Sequence, residues 1–295
     1  MTNKAGDAPL VTRVHQNYAN LSQGERRVAD RILDYPGEFA THTAVELAQL
    51  CQVSSATISR FVRRLGYRDY DQARRSARDA QTWGSPVYRT SPKDDGAKTS
   101  QDSIARFLAD EAGNLQATFD GLNAAELKKA IAAMTRARRL FFLGFRNSSL
   151  LASLACNQFM RFRKNVFQLN AQGDTLAERL AELDKGDVVV VVALRRLHRQ
   201  LDEYVSAARD RGARIVLISD PSIRTLPARA DWSFVAAVES SQAFDCYAGA
   251  VALLRLLAVE VLHLSGRDGR QRLQAVEDLH ERLDEFGNRR PPQSS

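Results

Sequence analysis

Cysteine is scarce in this chain, and its few copies do not group together. Cys51, Cys156 and Cys246 are far apart in the sequence, and no C-x-x-C pair occurs. An odd number of widely spaced cysteines is not the pattern of a disulfide framework or of a zinc site. We therefore expect three buried thiols that behave as small hydrophobic side chains, and no bound metal.

Long apolar runs are also absent. No segment approaches the roughly 18 uninterrupted apolar residues that a membrane span needs, and the start, MTNKAGDAPLVTR, lacks the apolar stretch of a signal peptide. Neither a Walker-type loop nor a G-x-G-x-x-G fingerprint follows any candidate strand, which argues against nucleotide binding. These absences predict a cytoplasmic protein with no membrane partner and no cofactor.

Length and charge suggest two domains and a polyanionic partner. The chain has 295 residues, of which 44% are hydrophobic, so there is material for more than one core. A net charge of +7 is weak support for nucleic-acid binding when it is diffuse. Here it is concentrated, because the segment from Ser54 to Arg78 holds seven arginines against two aspartates.

Three short helical patterns follow one another between residues 20 and 66. Ser22 with Glu25, and Thr43 with Glu46, are S/T-x-x-E capping boxes that mark the start of the first two. The third runs over 54–65 and is followed by a glycine in the position of a helix stop. Its apolar residues recur at i, i+3, i+4 and i+7, which predicts one buried face: Ile58, Phe61, Val62 and Leu65.

The second and third patterns are separated only by the turn 51–53, which is the arrangement of a helix-turn-helix motif. In that motif the second helix enters the major groove of DNA. The unburied face of the third helix is small, hydroxylated and cationic, which suits base edges and phosphates. We predict that it contacts DNA through Ser54, Ser55, Ala56, Thr57, Ser59, Arg60, Arg63 and Arg64. The alternative is a solvated cationic face on an ordinary helical bundle.

The runs Leu21–Asp30, Ala44–Ala48 and Val53–Tyr67 closely resemble the DNA-binding head of the RpiR/MurR family of regulators. This resemblance implies sequence-specific binding to a double-stranded operator. Gln52 departs from the pattern, because such heads usually place a glycine in the turn. Either Gln52 accepts a positive φ or the turn differs slightly in geometry.

The rest of the chain indicates an α/β domain. Residues 82–102 are rich in Ser, Thr, Pro, Gly and charge, and predict a linker. Beyond them, short apolar runs alternate with helical patterns, as in a parallel sheet with crossover helices. The candidate strands are Leu140–Phe145, Val166–Leu169, Val188–Leu194, Arg214–Ser219 and Trp232–Val238.

We therefore expect a multidomain protein. An all-α helix-turn-helix head occupies 1–81, and the α/β domain occupies 103–266, with a five-stranded parallel sheet in the flavodoxin-like order 2-1-3-4-5. A C-terminal helix and tail fill 267–295. The helical run 249–264 is apolar enough to serve the core, with subunit contact as a second use.

Polar residues gather where the first and third predicted strands end. In a sheet of this order those two ends flank the ligand crevice, and a helix N-terminus with a hydroxyl and nearby arginines is suited to an anion. We predict an effector site for a small anionic metabolite, formed by Gly144, Arg146, Asn147, Ser148, Ser149, Arg195, Arg196, Ser240 and Ser241.

This half resembles a sugar isomerase (SIS) domain, the phosphosugar-binding module that follows the head in the same family. Gly144 and Ser148 match the glycine and the phosphate-contacting serine of its first loop, although Arg146 replaces a second glycine. The phosphate cradle after the third strand, usually Ser-x-Ser-Gly-x-Thr, reads ALRRLH over 193–198 and has no hydroxyl. Either Arg195 and Arg196 replace the hydroxyls as anion donors, or phosphosugar binding has been lost.

The two resemblances imply a transcriptional regulator that senses a sugar phosphate or a related acid, and not an enzyme. Two alternatives remain. One is a sugar-phosphate isomerase, for which His198, Glu178 and Glu239 are candidate bases outside any recognisable motif. The other is a DNA-binding regulator whose SIS domain does not respond to a ligand. Because one head covers one half-site, we expect a homodimer or a higher homo-oligomer.

Overall fold

The computed structural model describes residues 10–82, 100–170, 173, 175–240 and 244–285. Most of the predicted linker and the end of the predicted tail lie outside these ranges. The chain separates into two compact units. The first contains residues up to Ala112 together with Glu239–Cys246, and the second contains Gly113–Val238 and the residues from Tyr247 onward.

The N-terminal part of the first unit is all-α. Both predicted capping boxes are confirmed. The hydroxyls of Ser22 and Thr43 each cap a helix, and the backbone amides of these two residues donate to the carboxylates of Glu25 and Glu46. A core of fully buried side chains, among them Phe39, Leu47 and Phe61, joins the helices. A short 3-10 turn lies at Tyr18–Asn20, and the helices are α1 Leu10–Asn17, α2 Gln23–Asp34, α3 Pro36–Thr41, α4 Ala44–Leu50, α5 Ser55–Arg64 and α6 Tyr70–Thr82.

The second unit is built on a parallel sheet with the strand order β2-β1-β3-β4-β5, which confirms the predicted order. The strands are β1 Leu140–Gly144, β2 Val166–Gln168, β3 Val188–Ala193, β4 Arg214–Ser219 and β5 Trp232–Val235. The helices are α7 Ser100–Asp120, which extends across both units, α8 Ala124–Arg136, α9 Asn147–Phe162, α10 Leu176–Ala181, α11 Leu201–Asp210 and α12 Ala248–Leu283, with a 3-10 turn at Leu226–Arg229.

Strand β3 lies at the centre of this sheet, and all of its residues are buried. Val188, Val190 and Val192 belong to one apolar cluster, whereas Val189 and Val191 belong to another. The two clusters lie on opposite faces because side chains alternate along a strand. A run of valines without polar alternation therefore marks a strand that is covered on both faces.

Helix α12 combines the apolar run and the C-terminal pattern in one element of 36 residues, interrupted at Gly266, where φ is 56° and ψ is −121°. By length and composition alone it is apolar enough to cross a membrane. However, Leu253, Leu257 and Val261 are buried in a cluster with the sheet, as in the core helix of a soluble protein. Packing against the sheet thus accounts for part of the apolar composition of its first half, since 39% of the apolar 18-residue window is buried.

The three cysteines are buried thiols outside any disulfide, as predicted. Burial raises the pKa of the Cys156 thiol to about 11, so this residue is a neutral apolar side chain near neutral pH.

Candidate DNA-binding helix and effector crevice

The turn between α4 and α5 places a non-glycine residue in the left-handed region. Gln52 has a φ of 54°. The amide of Gln52 donates to the carbonyl of Gln49 at 3.1 Å, and the amide of Val53 donates to that of Ala48 at 2.9 Å. These two bonds form a Schellman motif, which satisfies the last carbonyls of α4 and reverses the chain. Of the two possibilities left by the sequence, Gln52 adopts the positive φ.

Helix α5 is held from its N-terminus and along its apolar face. The hydroxyl of Ser54 accepts a hydrogen bond from the amide of Thr57 at 3.2 Å, which caps the helix. Ile58, Phe61 and Val62 are no more than 1% exposed. The predicted buried face is therefore confirmed, and the opposite face is fixed in orientation by it.

The opposite face of α5 presents the predicted DNA contacts to solvent, with Thr57 half-buried and the other seven residues exposed. The hydroxyl of Ser59 donates to the carbonyl of Ser55 at 3.2 Å. Arg60 and Arg63 make no hydrogen bond and no ion pair with any residue in the described part of the chain. They are thus cations available to an external acceptor.

Arg64 has a different environment from the other two arginines of α5. Its Nε lies 3.2 Å from Oε1 of Glu25, and its Nη1 donates to the carbonyl of Asn20 at 2.9 Å. Burial raises the pKa of Glu25, but hydrogen bonds from Ser22 and the charge of Arg64 outweigh it, and the net pKa lies below its usual value. Arg64 therefore joins α5 to the start of α2, a contact across 39 residues that the sequence did not reveal.

In the second unit, Gly144 and Ser148 bring the loop after β1 close to the loop after β3. A Cβ at Gly144 would overlap the backbone of Ser148, so only glycine fits there. Ser148 is 4% exposed, and its hydroxyl accepts a hydrogen bond from the amide of Leu194 at 3.3 Å. Gly144 and Ser148, both predicted at the effector site, therefore lie close together. The hydroxyl of Ser148 also joins the loop after β1 to the loop after β3.

The start of α9 carries an exposed arginine and no acidic residue. Arg146 has φ 55° and ψ −128°, a conformation that glycine favours, and its guanidinium has no partner among the described residues. Asn147 donates to the hydroxyl of Tyr247 at 3.3 Å, and Ser149 accepts from Gln168 at 3.4 Å. The arginine and the helix N-terminus can together receive an anion.

Arg195 and Arg196 have different surroundings although they are neighbours. Arg195 is 7% exposed, its amide donates to the carboxylate of Asp220, and its Nη2 donates to the carbonyl of Val238 at 3.4 Å. Arg196 is exposed. Arg195 thus fastens the loop after β3 to the ends of β4 and β5, whereas Arg196 is accessible to a ligand.

The structure describes one of the two serines predicted at the end of β5. The hydroxyl of Ser240 donates to Asp110 of α7 at 3.5 Å, and both residues belong to the first unit. Ser241 lies outside the described residues.

The sequence missed an aromatic stack beside the crevice. The ring of His198 stacks on Phe145 with 4.3 Å between centroids, and Tyr204 lies 5.9 Å from both rings. The Nδ1 atom of His198 accepts from the amide of Gln200 at 3.3 Å. Phe145 and His198 follow the first and third candidate strands in the sequence. Their contact could not be predicted from this, because it depends on the pairing of β1 with β3.

One of the candidate bases has a structural explanation. The carboxylate of Glu178 accepts from the amide of Thr175 at 2.8 Å and completes a capping box at the start of α10. Cap formation accounts for this side chain without catalysis.

Two family models match this chain. Residues 9–77 match the helix-turn-helix domain of the rpiR family, and residues 133–260 match the SIS domain. The chain thus carries a helix-turn-helix domain that matches the rpiR-family model, followed by an SIS domain. Its fold class is therefore as predicted, with a helix-turn-helix head and a parallel α/β SIS domain.

Curated relatives of this chain include two kinds of protein. It is 29% identical over 229 residues to the Bifunctional protein glk of Paraburkholderia xenovorans, covering 74% of this chain and 34% of that protein. It is 27% identical over 210 residues to the HTH-type transcriptional regulator HexR of Pseudomonas aeruginosa, covering 70% of this chain and 72% of the regulator. The chain thus spans about a third of the first relative and most of the second.

Solved structures share the fold of this chain. The sugar isomerase domain of an RpiR transcription factor from Sphaerobacter thermophilus aligns with a TM-score of 0.56 and 23% identity, covering 61% of this chain and 99% of that one. The NanR protein of Vibrio vulnificus, complexed with ManNAc-6P, aligns with a TM-score of 0.56 and 20% identity, covering 93% of this chain and 99% of that one. At these identities the likeness concerns the fold.

Proposed function

We propose that this chain is a sequence-specific DNA-binding transcriptional regulator whose SIS domain senses a small anionic metabolite. The observation that carries the proposal is the face of α5, which exposes small and hydroxylated residues and the two unpaired guanidinium groups of Arg60 and Arg63. The match of residues 9–77 to the rpiR-family helix-turn-helix domain and the similarity to HexR support the same function.

In the proposed complex, α5 lies in the major groove of an operator. Ser55 and Ala56 are small and lie in its first turn, where the helix approaches base edges. Arg60 and Arg63 reach guanine or phosphate, while Arg64 positions the helix through Glu25. Because each head reads one half-site, two copies of the chain at a fixed spacing supply the specificity, and we propose a homodimer or larger homo-oligomer.

The proposed effector site is the crevice between the loops after β1 and β3. Arg146 and Arg196 are exposed on these two loops, and the first turn of α9 contributes backbone amides. Arg195 supports the site from behind by fixing the second loop. The complex of NanR with ManNAc-6P favours a sugar phosphate as the class of ligand, with guanidinium groups here in place of the usual hydroxyls.

The DNA-binding half of the proposal is tested with full-length chain and a site selected from random duplexes. Arg60→Gln and Arg63→Gln should each weaken binding by about 1–3 kcal/mol if the arginine reads a base. If it contacts phosphate, each should reduce the salt slope of log K by about 0.9. Arg75→Gln, an exposed arginine of α6, removes the same charge and serves as the control. No sequence preference at moderate salt would reject the proposal.

The effector half is tested by thermal unfolding with a panel of sugar phosphates, because a ligand that binds the native state raises its Tm. The same compounds should change operator affinity. The double variant Arg146→Gln with Arg196→Gln should lose both responses. If it keeps them, the crevice is not the site, and if the unaltered chain shows none, the SIS domain does not respond to this class of ligand.

We also propose that the chain is not an enzyme. Glu178 caps α10, and the ring of His198 is stacked on Phe145 with its Nδ1 already bonded. An assay for isomerisation of the same sugar phosphates checks this, and turnover by the purified chain would favour the isomerase.

A further inference from the structure

A second cationic cavity lies where α12 is interrupted at Gly266. It has a volume of about 710 Å³, within the range of small-molecule sites. Residues from both sides of the interruption line it, together with the end of α8 and the residues between α9 and β2. The polar ones that matter below are Thr135, Arg163, Lys164, Ser265, Asp268 and Arg272.

Arg163 is a half-buried cation that faces no carboxylate among the described residues. Both of its Nη atoms donate to carbonyls at the end of α8, those of Thr135 and Ala137. Its Nε is buried and has no acceptor. Burial lowers the pKa of Arg163, because no negative charge offsets the loss of solvent.

The other cations of the cavity lack anionic partners as well. Arg272 has a buried Nε without an acceptor, and Lys164 makes no ion pair within the described ranges. Asp268 is the one acidic residue among those that line the cavity. Three cations against one acid leave a surplus of two positive charges around the cavity, and the two half-buried guanidinium groups, those of Arg163 and Arg272, lose part of their solvation without a carboxylate to offset it.

We propose that this cavity binds a small dianionic ligand through a phosphate group. Lys164 and the guanidinium of Arg272 receive the phosphate, while Arg163 stays on the end of α8 and supplies positive charge from behind. A phosphate group carries about −1.5 to −2 charges near neutral pH, which matches the surplus. A ligand here contacts residues on both sides of Gly266 and so holds the second half of α12 in place.

This cavity is distinct from the proposed effector crevice. Thr135 precedes β1 and the lining residues 162–164 precede β2, whereas the crevice residues follow β1 and β3, so the two sites lie at opposite ends of the parallel strands. Strand β1 has five residues, so its two ends are about 16 Å apart. One ligand of metabolite size cannot occupy both.

The test uses full-length chain with inorganic phosphate as the probe and sodium chloride at matched ionic strength as the reference. All variants carry Arg146→Gln and Arg196→Gln, so that the crevice contributes nothing. We expect phosphate to raise the Tm in a saturable way, by roughly 2–4 °C near ten times the Kd. Adding Lys164→Gln and Arg272→Gln should abolish the rise.

The matched control adds Arg267→Gln and Arg270→Gln, two exposed arginines of the same helix that do not line the cavity. This control should keep the full rise in Tm. Lys164→Gln alone alters an exposed side chain and should reduce the rise even if the Arg272 variant folds poorly. Absence of a phosphate effect, or an equal effect in the cavity and control variants, would overturn the proposal whatever the crevice binds.

Discussion

Arg146 combines backbone strain with an exposed charge at the proposed effector site. Its φ of 55° and ψ of −128° are unfavourable for any residue with a Cβ, and its guanidinium is exposed. We expect Arg146→Gly to raise the free energy of unfolding by about 1 kcal/mol, because the strain is relieved. The same change should weaken the response to a sugar phosphate. Urea unfolding and ligand-dependent Tm measure the two effects.

The control for this prediction is Arg146→Gln, which removes the charge and keeps the Cβ. It should weaken the ligand response equally and give no gain in stability. A glycine variant that is no more stable than the glutamine variant would show that the backbone at this position is not strained.

Asp187 is a fully buried carboxylate that joins two arginines at the start of β3. Its Oδ2 lies 2.6 Å from Nη2 of Arg139, and its Oδ1 lies 3.3 Å from Nε of Arg138. The carboxylate also accepts from the amide of Asp184 at 2.9 Å. Burial raises its pKa, but these contacts outweigh burial and leave the pKa below its usual value. Asp187→Asn should therefore lower the free energy of unfolding by about 3 kcal/mol near neutral pH.

The pH dependence has a defined sign. Because the pKa of Asp187 is lower in the folded state, its stabilisation is present above the ordinary aspartate pKa of about 4 and is lost as the pH falls through the lowered value. The Asn variant should lack this loss. Asp184→Asn, whose side chain is 64% exposed, should cost much less. If urea unfolding gave the same loss in free energy of unfolding for Asp187→Asn and Asp184→Asn, the stabilising role of the buried ion pair would be contradicted.

In the turn between α4 and α5, the direction in which one substitution should change stability can be predicted. Gln52 has a positive φ without the conformational freedom of glycine. Gln52→Gly should stabilise the head by about 1 kcal/mol, with unchanged operator specificity because α5 itself is not altered. Thermal unfolding and operator titration measure these outcomes.

A matched control lies one turn earlier in the chain. Gln49 is exposed inside α4, so Gln49→Gly should destabilise by about 0.5–1 kcal/mol. If both glycine variants shift the Tm in the same direction, the left-handed conformation of Gln52 does not destabilise the head as we expect.

Element boundaries were less predictable than the elements themselves. The prediction extended the fifth strand to Val238, but β5 ends at Val235. Ala236 and Val238 are buried beyond the end of the strand, so apolar pattern alone could not locate it. At Gly266 the φ of 56° and ψ of −121° are not helical, so two helical segments meet there in a kink, and Gly269 packs closely against Leu262 and Ser265 across it.

For the whole molecule, the proposed regulation requires reciprocal coupling of two binding events. If a saturating sugar phosphate weakens operator binding tenfold, the operator must weaken binding of that sugar phosphate about tenfold as well. Fluorescence titrations of each ligand, with and without the other, measure both factors. The crevice variant Arg146→Gln with Arg196→Gln should bring both factors to one, and unequal factors in the unaltered chain would exclude a simple coupled equilibrium.

The sequence by itself determined the elements whose causes are local. Capping boxes at Ser22 and Thr43, the apolar face of α5 and the valine run of β3 depend on residues a few positions apart, and these local patterns predicted the helix-turn-helix head and the central strand. The strand order followed from the order that five-stranded parallel sheets commonly adopt. Only the tertiary structure decided which arginines are available to a ligand. Arg64 is paired with Glu25, and Arg195 with the ends of β4 and β5, by contacts 25 to 43 residues apart. Such partners depend on how the chain folds back, and a local pattern contains no information about them.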